Sequence, residues 1–266
     1  MPHMLIFGLG YTAGRLAERL RSEGWSVSAT RREAGPDAMA FGDRDAVIAV
    51  IGEASHILSS VPPADGIDPV LNDYERALTD APANWIGYLS STGVYGDTGG
   101  AWVDETAPIG GGRRKARAVA DRAWQDLRDD VRVFRLPGIY GPGRSVLDRI
   151  RSGKAHRIDL PDQVFSRVHV DDIVTGVIAG FAGPAGVYNL ADDVPAPHND
   201  VIAYGCRLLR VEPPPLQTMD EAGLSDMARG FYSENRRVAN GKAKRLLGWA
   251  PAYADYRAGL GAIANG

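Results

Sequence analysis

The chain has 266 residues, a formal net charge of −3, 44% hydrophobic and 24% charged residues, and a single cysteine, Cys206. This composition is ordinary for a globular domain and gives no reason to expect nucleic acid or an anionic membrane as a partner. One cysteine excludes an intramolecular disulfide and a Cys-rich zinc site, and no apolar run approaches the length of a membrane span. We therefore expect a cytoplasmic protein whose cysteine simply packs in a helix.

The first half of the chain alternates strands and helices. The apolar run Met4–Phe7 predicts a buried strand, and Ala13–Glu23 predicts a helix that ends at Gly24 in a left-handed cap. The pattern then continues as strand Trp25–Thr30, helix Ala46–Ile51, strand His56–Val61, helix Asn72–Leu78, strand Trp85–Ser90, helix Arg114–Leu127 and strand Arg132–Leu136. This alternation predicts an α/β fold of the Rossmann type, a doubly wound parallel sheet with helices on both faces.

The second half of the chain is less regular. Asp171 or Asp172 is predicted to cap one helix and Asn199 another, while Val187–Leu190 reads as a strand and Gly241–Leu247 as a short helix.

A glycine-rich turn separates the first strand from the first helix. Its sequence, Gly8-Leu-Gly10-Tyr-Thr-Ala13, fits G-x-G-x-x-A. Gly8 permits the tight turn, Gly10 lets the backbone approach a pyrophosphate, and Ala13 lets the helix pack on the strand. The amides of Tyr11 and Thr12 would then face the phosphates. We interpret this motif as a dinucleotide-binding turn, with a purely structural turn as the alternative.

The end of the second strand carries Arg31 and Arg32 where an NAD site has Asp or Glu. A guanidinium can bind a 2′-phosphate through two hydrogen bonds, so NADP(H) is favoured over NAD(H). The alternative is a pair of solvated loop arginines. Further cofactor contacts are predicted at Asp43, beside the adenine, and at Ser59, Ser60 and Val61, where the next strand ends.

Five stretches together resemble the extended short-chain dehydrogenase/reductase family, the NAD-dependent epimerase/dehydratase group. They are Gly8–Gly14, Ser90–Asp97, Arg135–Gly143, Arg167–Asp172 and Lys244–Trp249. In finer detail the chain resembles the atypical, YeeZ-type bacterial branch of this family. The resemblance implies a dinucleotide-binding Rossmann core over residues 1–143. Residues 144–266 would form mostly a small C-terminal substrate lobe, with 166–190 returning to the core.

The resemblance also assigns roles to particular residues. Ser91 matches the family's catalytic serine, and Thr92 could share its task of donating to the substrate oxygen. A serine that only caps the end of a strand is the alternative. The resemblance also implies that the cofactor is contacted by Ser90, Pro137 and Gly138. It implies that the substrate is contacted by Arg144 and Arg167.

The family's Tyr-x-x-x-Lys is missing, because no tyrosine occurs between residues 104 and 130. One helix register places Arg113 at the Tyr position and Arg117 at the Lys position, and the other places Gly111 and Lys115 there. Guanidinium cannot exchange a proton near neutral pH, so the arginines could only bind or stabilise an anion. A solvated basic face is the alternative.

Tyr95 and Tyr140 stay open as substitute acids or as packed side chains. His169 does not indicate a metal site, because no cysteine accompanies it and Asp171 and Asp172 are interpreted more simply as a helix cap. The sequence therefore predicts an NADP(H)-binding oxidoreductase or epimerase/dehydratase-like enzyme for a polar small molecule. A non-catalytic NADP(H) sensor is the alternative, and a homodimer stays open.

Overall fold

A computed structural model describes residues 1–112 and 115–265, apart from the side chains of residues 227 and 228. The strands are β1 (His3–Phe7), β2 (Ser26–Arg31), β3 (Met39–Ala40), β4 (His56–Ser59), β5 (Trp85–Ser91), β6 (Trp102–Val103), β7 (Val131–Leu136), β8 (Gly138–Tyr140), β9 (Arg157–Ile158), β10 (Arg167–His169), β11 (Gly186–Asn189), β12 (Leu216–Gln217) and β13 (Arg237–Val238).

The helices are α1 (Tyr11–Ser22), α2 (Arg44–Glu53), α3 (Pro69–Thr79), α4 (Lys115–Leu127), α5 (Val146–Arg151), α6 (Val170–Ala182), α7 (His198–Leu209), α8 (Asp226–Phe231), α9 (Gly241–Leu247) and α10 (Tyr256–Asn265). A single 3₁₀ turn over Thr92–Tyr95 follows β5. Among the described residues, no helix combines the length and apolarity needed to cross a bilayer.

Seven strands form one parallel sheet in the order β3-β2-β1-β4-β5-β7-β11. The strand order reverses between β1 and β4, where Phe7 lies beside Ser59. This arrangement confirms the predicted α/β Rossmann-type sheet. In such sheets ligands bind outside the carboxyl ends of the strands at the reversal point, so the sheet itself indicates where the site lies.

Apolar layers cover both faces of the sheet because successive strand side chains point to opposite sides. Met4 and Ile6 of β1 belong to the layer packed with α1, α6 and α9, whereas Leu5 and Phe7 belong to the layer packed with α2, α3 and α4. A third apolar cluster joins α5, α7 and α10 beyond the sheet, and Cys206 lies buried within it. We call the region built around this third cluster the C-terminal lobe.

Helix α6 begins differently from the prediction, which placed its cap at Asp171 or Asp172. The cap is His169, whose Nδ1 accepts a hydrogen bond from the Asp171 amide at 3.2 Å. Asp171 instead forms an ion pair with Arg15 of α1 at 2.7 Å. Buried Asp172 accepts hydrogen bonds from the amides at positions 252 and 253, at 2.7 and 3.1 Å. Both carboxylates thus bind partners remote in sequence, and the capping prediction was wrong.

The cap predicted at Asn199 was also wrong. Helix α7 starts at His198 and its N-cap is Pro197, two residues before the predicted cap. The side-chain amide of Asn199 accepts a hydrogen bond from the Ile158 N–H at 3.0 Å through Oδ1 and donates one to the Ile158 carbonyl at 2.8 Å through Nδ2. Its side chain therefore fastens β9 to α7 within the C-terminal lobe.

Candidate functional site

A cleft of about 420 Å³ opens at the carboxyl ends of the central strands. We call it the main cleft. The Rossmann core supplies lining residues at or just after the carboxyl ends of β1, β4, β5 and β7, and one from α4. They are Gly10, Tyr11, Thr12, Ser60, Ser90, Ser91, Thr92, Arg117, Pro137 and Gly138. The structure thus brings together at one place ten residues that the sequence assigned to cofactor binding or catalysis.

The turn after β1 has the geometry that a pyrophosphate requires. Gly8 has φ of +84°, and a Cβ there would come within 2.9 Å of Val61 Cγ2, so this position needs glycine. A Cβ on Gly10 would meet no atom within 4 Å, so the space in front of the turn is open. The Ser60 hydroxyl donates to the Gly8 carbonyl at 2.5 Å and holds the turn. Strand β4 ends at Ser59, two residues before the predicted strand end at Val61. Ser60 and Val61 therefore follow the strand, and they contact the glycine turn from there.

Helix α1 presents its N-terminus to the main cleft. Gly10 is the N-cap and supplies no side-chain hydrogen bond, and the first turn contains no acidic residue. The first-turn amides and the positive end of the helix dipole are therefore available to an anion. Ala13 is buried on the opposite face of the helix, where its small side chain packs against the sheet.

Arg31 is exposed at the end of β2, and its Nε donates to the Leu9 carbonyl of the glycine turn at 3.3 Å. Arg32 follows and is also exposed. Asp43 is the N-cap of α2, and its side chain accepts a hydrogen bond from the Ala46 amide at 3.4 Å. A contact between Asp43 and an adenine stays a prediction. The Ser59 hydroxyl is buried, with no hydrogen-bond partner in the described part of the chain.

The end of β5 holds the serine pair. Ser90 donates from its hydroxyl to the carboxylate of Asp121 at 2.6 Å, so it is tied to the core. Ser91 accepts the Gly93 amide at 3.1 Å as the cap of the 3₁₀ turn. As the acceptor in that bond, the Ser91 hydroxyl keeps its own hydrogen available for donation. Thr92 is buried beside it.

Arg117 lines the main cleft from the first turn of α4, whereas Arg113 lies outside the described residues. Burial raises the pKa of Tyr88 in the adjacent β5, and the nearby Arg117 guanidinium opposes that rise. Arg117 thus lies between the core and the cleft. This placement suits electrostatic stabilisation of a bound anion.

Four lining residues that the sequence reasoning missed come from the stretch 231–238, namely Phe231, Glu234, Arg236 and Val238. Glu234 is the only carboxylate among the described residues that line the main cleft. Its Oε2 lies 2.9 Å from Arg236 Nη1, and the two side chains are only 10% and 17% exposed. Nothing in the sequence marked them, because the stretch lies more than 60 residues beyond the last of the predicted site residues, Arg167.

The backbone around Glu234 is fixed at several points. Strand β13 pairs with β6, and Arg236 donates to the Gly96 carbonyl at 2.7 Å. The amide of Asn235 donates to Asp97 at 2.8 Å, and that of Val238 donates to the Ser166 hydroxyl at 2.9 Å. Glu234 is therefore a rigidly placed carboxylate rather than a solvent-facing loop residue.

A second cavity of about 480 Å³ adjoins the main cleft on the side of the C-terminal lobe. Its polar and aromatic lining residues include Tyr140, Arg144, Arg149, Arg167, His198, Phe231, Tyr232 and Tyr256. Arg144 lines both spaces, while Arg167 lines the second cavity alone. The two arginines predicted to contact substrate are thus both cavity residues.

Arg167 is a buried guanidinium. Its Nη1 donates to the carbonyls of Phe165 and Ala196 at 2.8 and 3.0 Å. Burial lowers its pKa, and the nearby carboxyl of Asp192 opposes this effect. Burial also lowers the pKa of His198 to about 3, which keeps that imidazole neutral at physiological pH. Three arginines, Arg144, Arg149 and Arg167, line the cavity against one carboxylate among the described lining residues, Asp148, so positive charge and aromatic surface dominate it.

The two tyrosines considered as substitute acids have other partners. Tyr95 is buried, donates to Asn189 Oδ1 at 2.8 Å and accepts from Arg135 at 2.9 Å. Tyr140 donates to the Asp255 carbonyl at 3.4 Å. Burial raises the pKa of both phenols. The structure thus favours the packing interpretation, and neither lines the main cleft.

Comparison with known proteins places this geometry in context. No protein-family model matches the chain. A solved, functionally unknown conserved protein from Silicibacter pomeroyi is 40% identical, with a TM-score of 0.91 and coverage of 100% of this chain and 99% of that one. Escherichia coli YeeZ is 26% identical over 277 aligned positions, 90% of this chain and 94% of YeeZ. This chain is a YeeZ homologue with the NAD-dependent epimerase/dehydratase fold of the extended short-chain dehydrogenases/reductases.

Other matches carry more informative names. The Streptomyces 3-diazoavenalumate denitrifying reductase is 31% identical over 182 residues, which cover 60% of this chain and 58% of the reductase. The human epimerase family protein SDR39U1, solved with NADPH, is 17% identical with a TM-score of 0.81 and covers 99% of both chains. A dTDP-glucose 4,6-dehydratase and a UDP-glucuronic acid 4-epimerase, 17% and 14% identical, were solved with NAD. At such identities the likeness concerns the fold.

Proposed function

We propose that this protein is an NADP(H)-dependent oxidoreductase or epimerase-like enzyme that acts on a polar small molecule in the main cleft. The observation that carries the proposal is the site at the strand reversal. There an uncapped helix N-terminus without acidic residues faces the cleft, beside the open space in front of Gly10. That combination fits the pyrophosphate of a dinucleotide.

The preference for NADP(H) over NAD(H) rests on Arg31 and Arg32. Both are exposed where the ribose of the adenosine half would lie, and Arg31 is hydrogen-bonded to the glycine turn. A carboxylate at this position would repel a 2′-phosphate, whereas a guanidinium binds it. Glu33 comes too late in the chain to take the carboxylate's place at the strand end.

When bound, the dinucleotide supplies or takes up a hydride at its nicotinamide ring. The protein's own part is to orient the substrate and to exchange a proton. Ser91 donates to the substrate oxygen from the end of β5. Pro137 and Gly138 form the wall of the cleft where β7 ends, so they restrict the reacting groups to the centre of the cleft.

Glu234 takes the role of proton carrier that the missing tyrosine leaves open. Among the described residues it is the carboxylate of the main cleft, and a carboxylate can accept a proton, which the guanidinium of Arg117 cannot. In the oxidising direction, the Glu234 carboxylate would accept the proton of the substrate hydroxyl. Arg236, whose Nη1 lies 2.9 Å from Glu234 Oε2, would hold that carboxylate in place. In the reducing direction, the same group would return the proton to the substrate oxygen.

The Streptomyces relative supports an oxidoreductase over an epimerase, because its name describes a reductase. A second candidate function is a non-catalytic NADP(H) sensor. The stretch from 104 to 130 without tyrosine favours it, because a sensor needs binding without proton transfer.

Hydride transfer distinguishes these functions. We expect the wild type to transfer deuterium from one face of C4-deuterated NADPH to a member of a panel of aldehydes, ketones and diazo compounds. Ser91→Ala should slow transfer about 100- to 1,000-fold and Glu234→Gln at least about 100-fold, with NADPH affinity unchanged. Exposed Glu18→Gln is the matched control and should behave as wild type. NADPH binding without transfer to any panel member would favour the sensor.

A further inference from the structure

Among the described residues, Arg144 is the one charged side chain that lines both the main cleft and the second cavity. The other residues that the two linings share are Gly138, Ile139 and Phe231. Within residues 1–112 and 115–265, no carboxylate forms an ion pair with Arg144. The nearest acidic residue in the chain, Asp148, is instead bound to the amide and hydroxyl of Ser145 at 2.8 and 2.7 Å. The guanidinium thus has capacity for an anion.

The loop that carries Arg144 is attached to the start of α1. The Tyr11 hydroxyl donates to the Pro142 carbonyl at 3.0 Å, and the Arg144 guanidinium lies 5.6 Å from the centre of the Tyr11 ring. A Cβ on Gly141 would come within 2.5 Å of the Tyr11 hydroxyl, so the loop lies as close to the helix as glycine allows. Gly141 and Arg144 also exchange two backbone hydrogen bonds, at 3.3 and 3.0 Å.

Tyr11 therefore has two functions at the same residue. Its backbone belongs to the first turn of α1, where the proposed pyrophosphate binds, and its ring lies 5.6 Å from the guanidinium of Arg144, which lines the same cleft. The phosphates would lie between helix amides on one side and a cation on the other, which is a stronger anion site than either alone.

We propose that Arg144 is a cofactor-binding residue that holds the pyrophosphate of the dinucleotide against the N-terminus of α1. This inference rests on the proposed function and reassigns a residue that family resemblance gave to the substrate. Because Arg144 also faces the second cavity, a bound cofactor fixes a positive group at the entrance of that cavity. The substrate class that such an entrance suits is an anion, with Arg149 and Arg167 further inside.

The two phosphate-binding regions can be separated by coenzyme choice. NADPH and NADH share the pyrophosphate and differ in the 2′-phosphate, so loss of a pyrophosphate contact weakens both by the same factor. We expect Arg144→Met to raise the Kd of both coenzymes about tenfold or more, because hydrogen bonds to charged groups are involved. Arg144→Lys should recover part of the loss, since it keeps the charge.

Arg149→Met is the matched control, because Arg149 lines the second cavity but not the main cleft. It should leave both Kd values unchanged, and thermal unfolding should show that every variant is folded. Unchanged binding by Arg144→Met, or a loss confined to NADPH, would overturn the assignment while the proposed function stands. If the folded wild type bound neither coenzyme, the proposed function would fail and the inference with it.

Discussion

At the scale of single residues, Asp192 is the most unusual ionisable group. It is 2% exposed, and neither carboxylate oxygen has a hydrogen-bond partner in the described chain. Burial raises its pKa from 3.8 to about 8, while the guanidinium of Arg167 opposes this and the carboxylates of Asp255 and Asp193 add to it. Asp192 thus lies next to Arg167, a lining residue of the second cavity, as a carboxyl group that the folded protein prefers to keep protonated.

This preference makes stability depend on pH. The folded pKa exceeds the unfolded one, so the folded protein binds the proton more tightly between about pH 4 and about pH 8. The contribution of Asp192 to stability is therefore complete below about pH 4 and is lost as the pH rises to about 8. The loss amounts to on the order of 1 kcal/mol per pH unit across that window.

Urea unfolding at pH 5.5 and 8.0 tests this expectation. The wild type should lose stability between the two values, and Asp192→Asn should lose distinctly less because it has no titrating group there. The exposed Asp129→Asn is the control and should follow the wild type. An identical pH dependence in Asp192→Asn and wild type would contradict the assignment.

At the scale of secondary-structure elements, a buried polar network joins α4 to the central strands. Asp121 of α4 pairs with Arg135 of β7 at 2.7 Å, and both side chains are almost fully buried. Asp121 also accepts from Ser90 at the end of β5, and Arg135 donates to Tyr95. The network fixes α4 behind the serine pair, so the shape of the main cleft depends on it.

Removing one member should be costly, because it leaves a buried charge without its partner. We expect Arg135→Met to lower the free energy of unfolding by about 3–5 kcal/mol. The double variant Asp121→Asn/Arg135→Met should recover part of that loss. Arg76→Met on the exposed face of α3 is the control and should change stability by less than about 0.5 kcal/mol. A loss below about 1 kcal/mol in Arg135→Met would show that the pair does not hold α4.

Secondary-structure elements were largely predictable where local pattern decides them. The apolar run of β1, the glycine turn and the left-handed Gly24 after α1 all have local causes, and Gly24 has φ of +83°. Helix caps were not predictable in the same way. Asp172 and Asn199 look like caps in sequence, but each binds backbone groups far along the chain. Tertiary hydrogen bonds thus override local capping preference at both helices.

At the scale of the whole molecule, the site joins two regions that the sequence keeps apart. The phosphate turn and the serine pair follow from motifs within the first 92 residues, so they could be predicted. Glu234 and Arg236 reach the same cleft because β13 pairs with β6. That pairing has no local signal. The groups proposed to bind the cofactor are therefore readable from the sequence, whereas the carboxylate proposed to exchange the proton emerges only from the folded chain.

The central claim is that this fold holds NADP(H) at the glycine turn with Arg31 beside the 2′-phosphate. Calorimetric titration of the wild type and Arg31→Asp with NADPH and NADH tests it most directly. We predict that the wild type binds NADPH at least about tenfold more tightly than NADH, and that Arg31→Asp removes this preference by weakening NADPH alone. Equal affinity of the wild type for the two coenzymes, or no binding of either at millimolar concentration, would contradict the account.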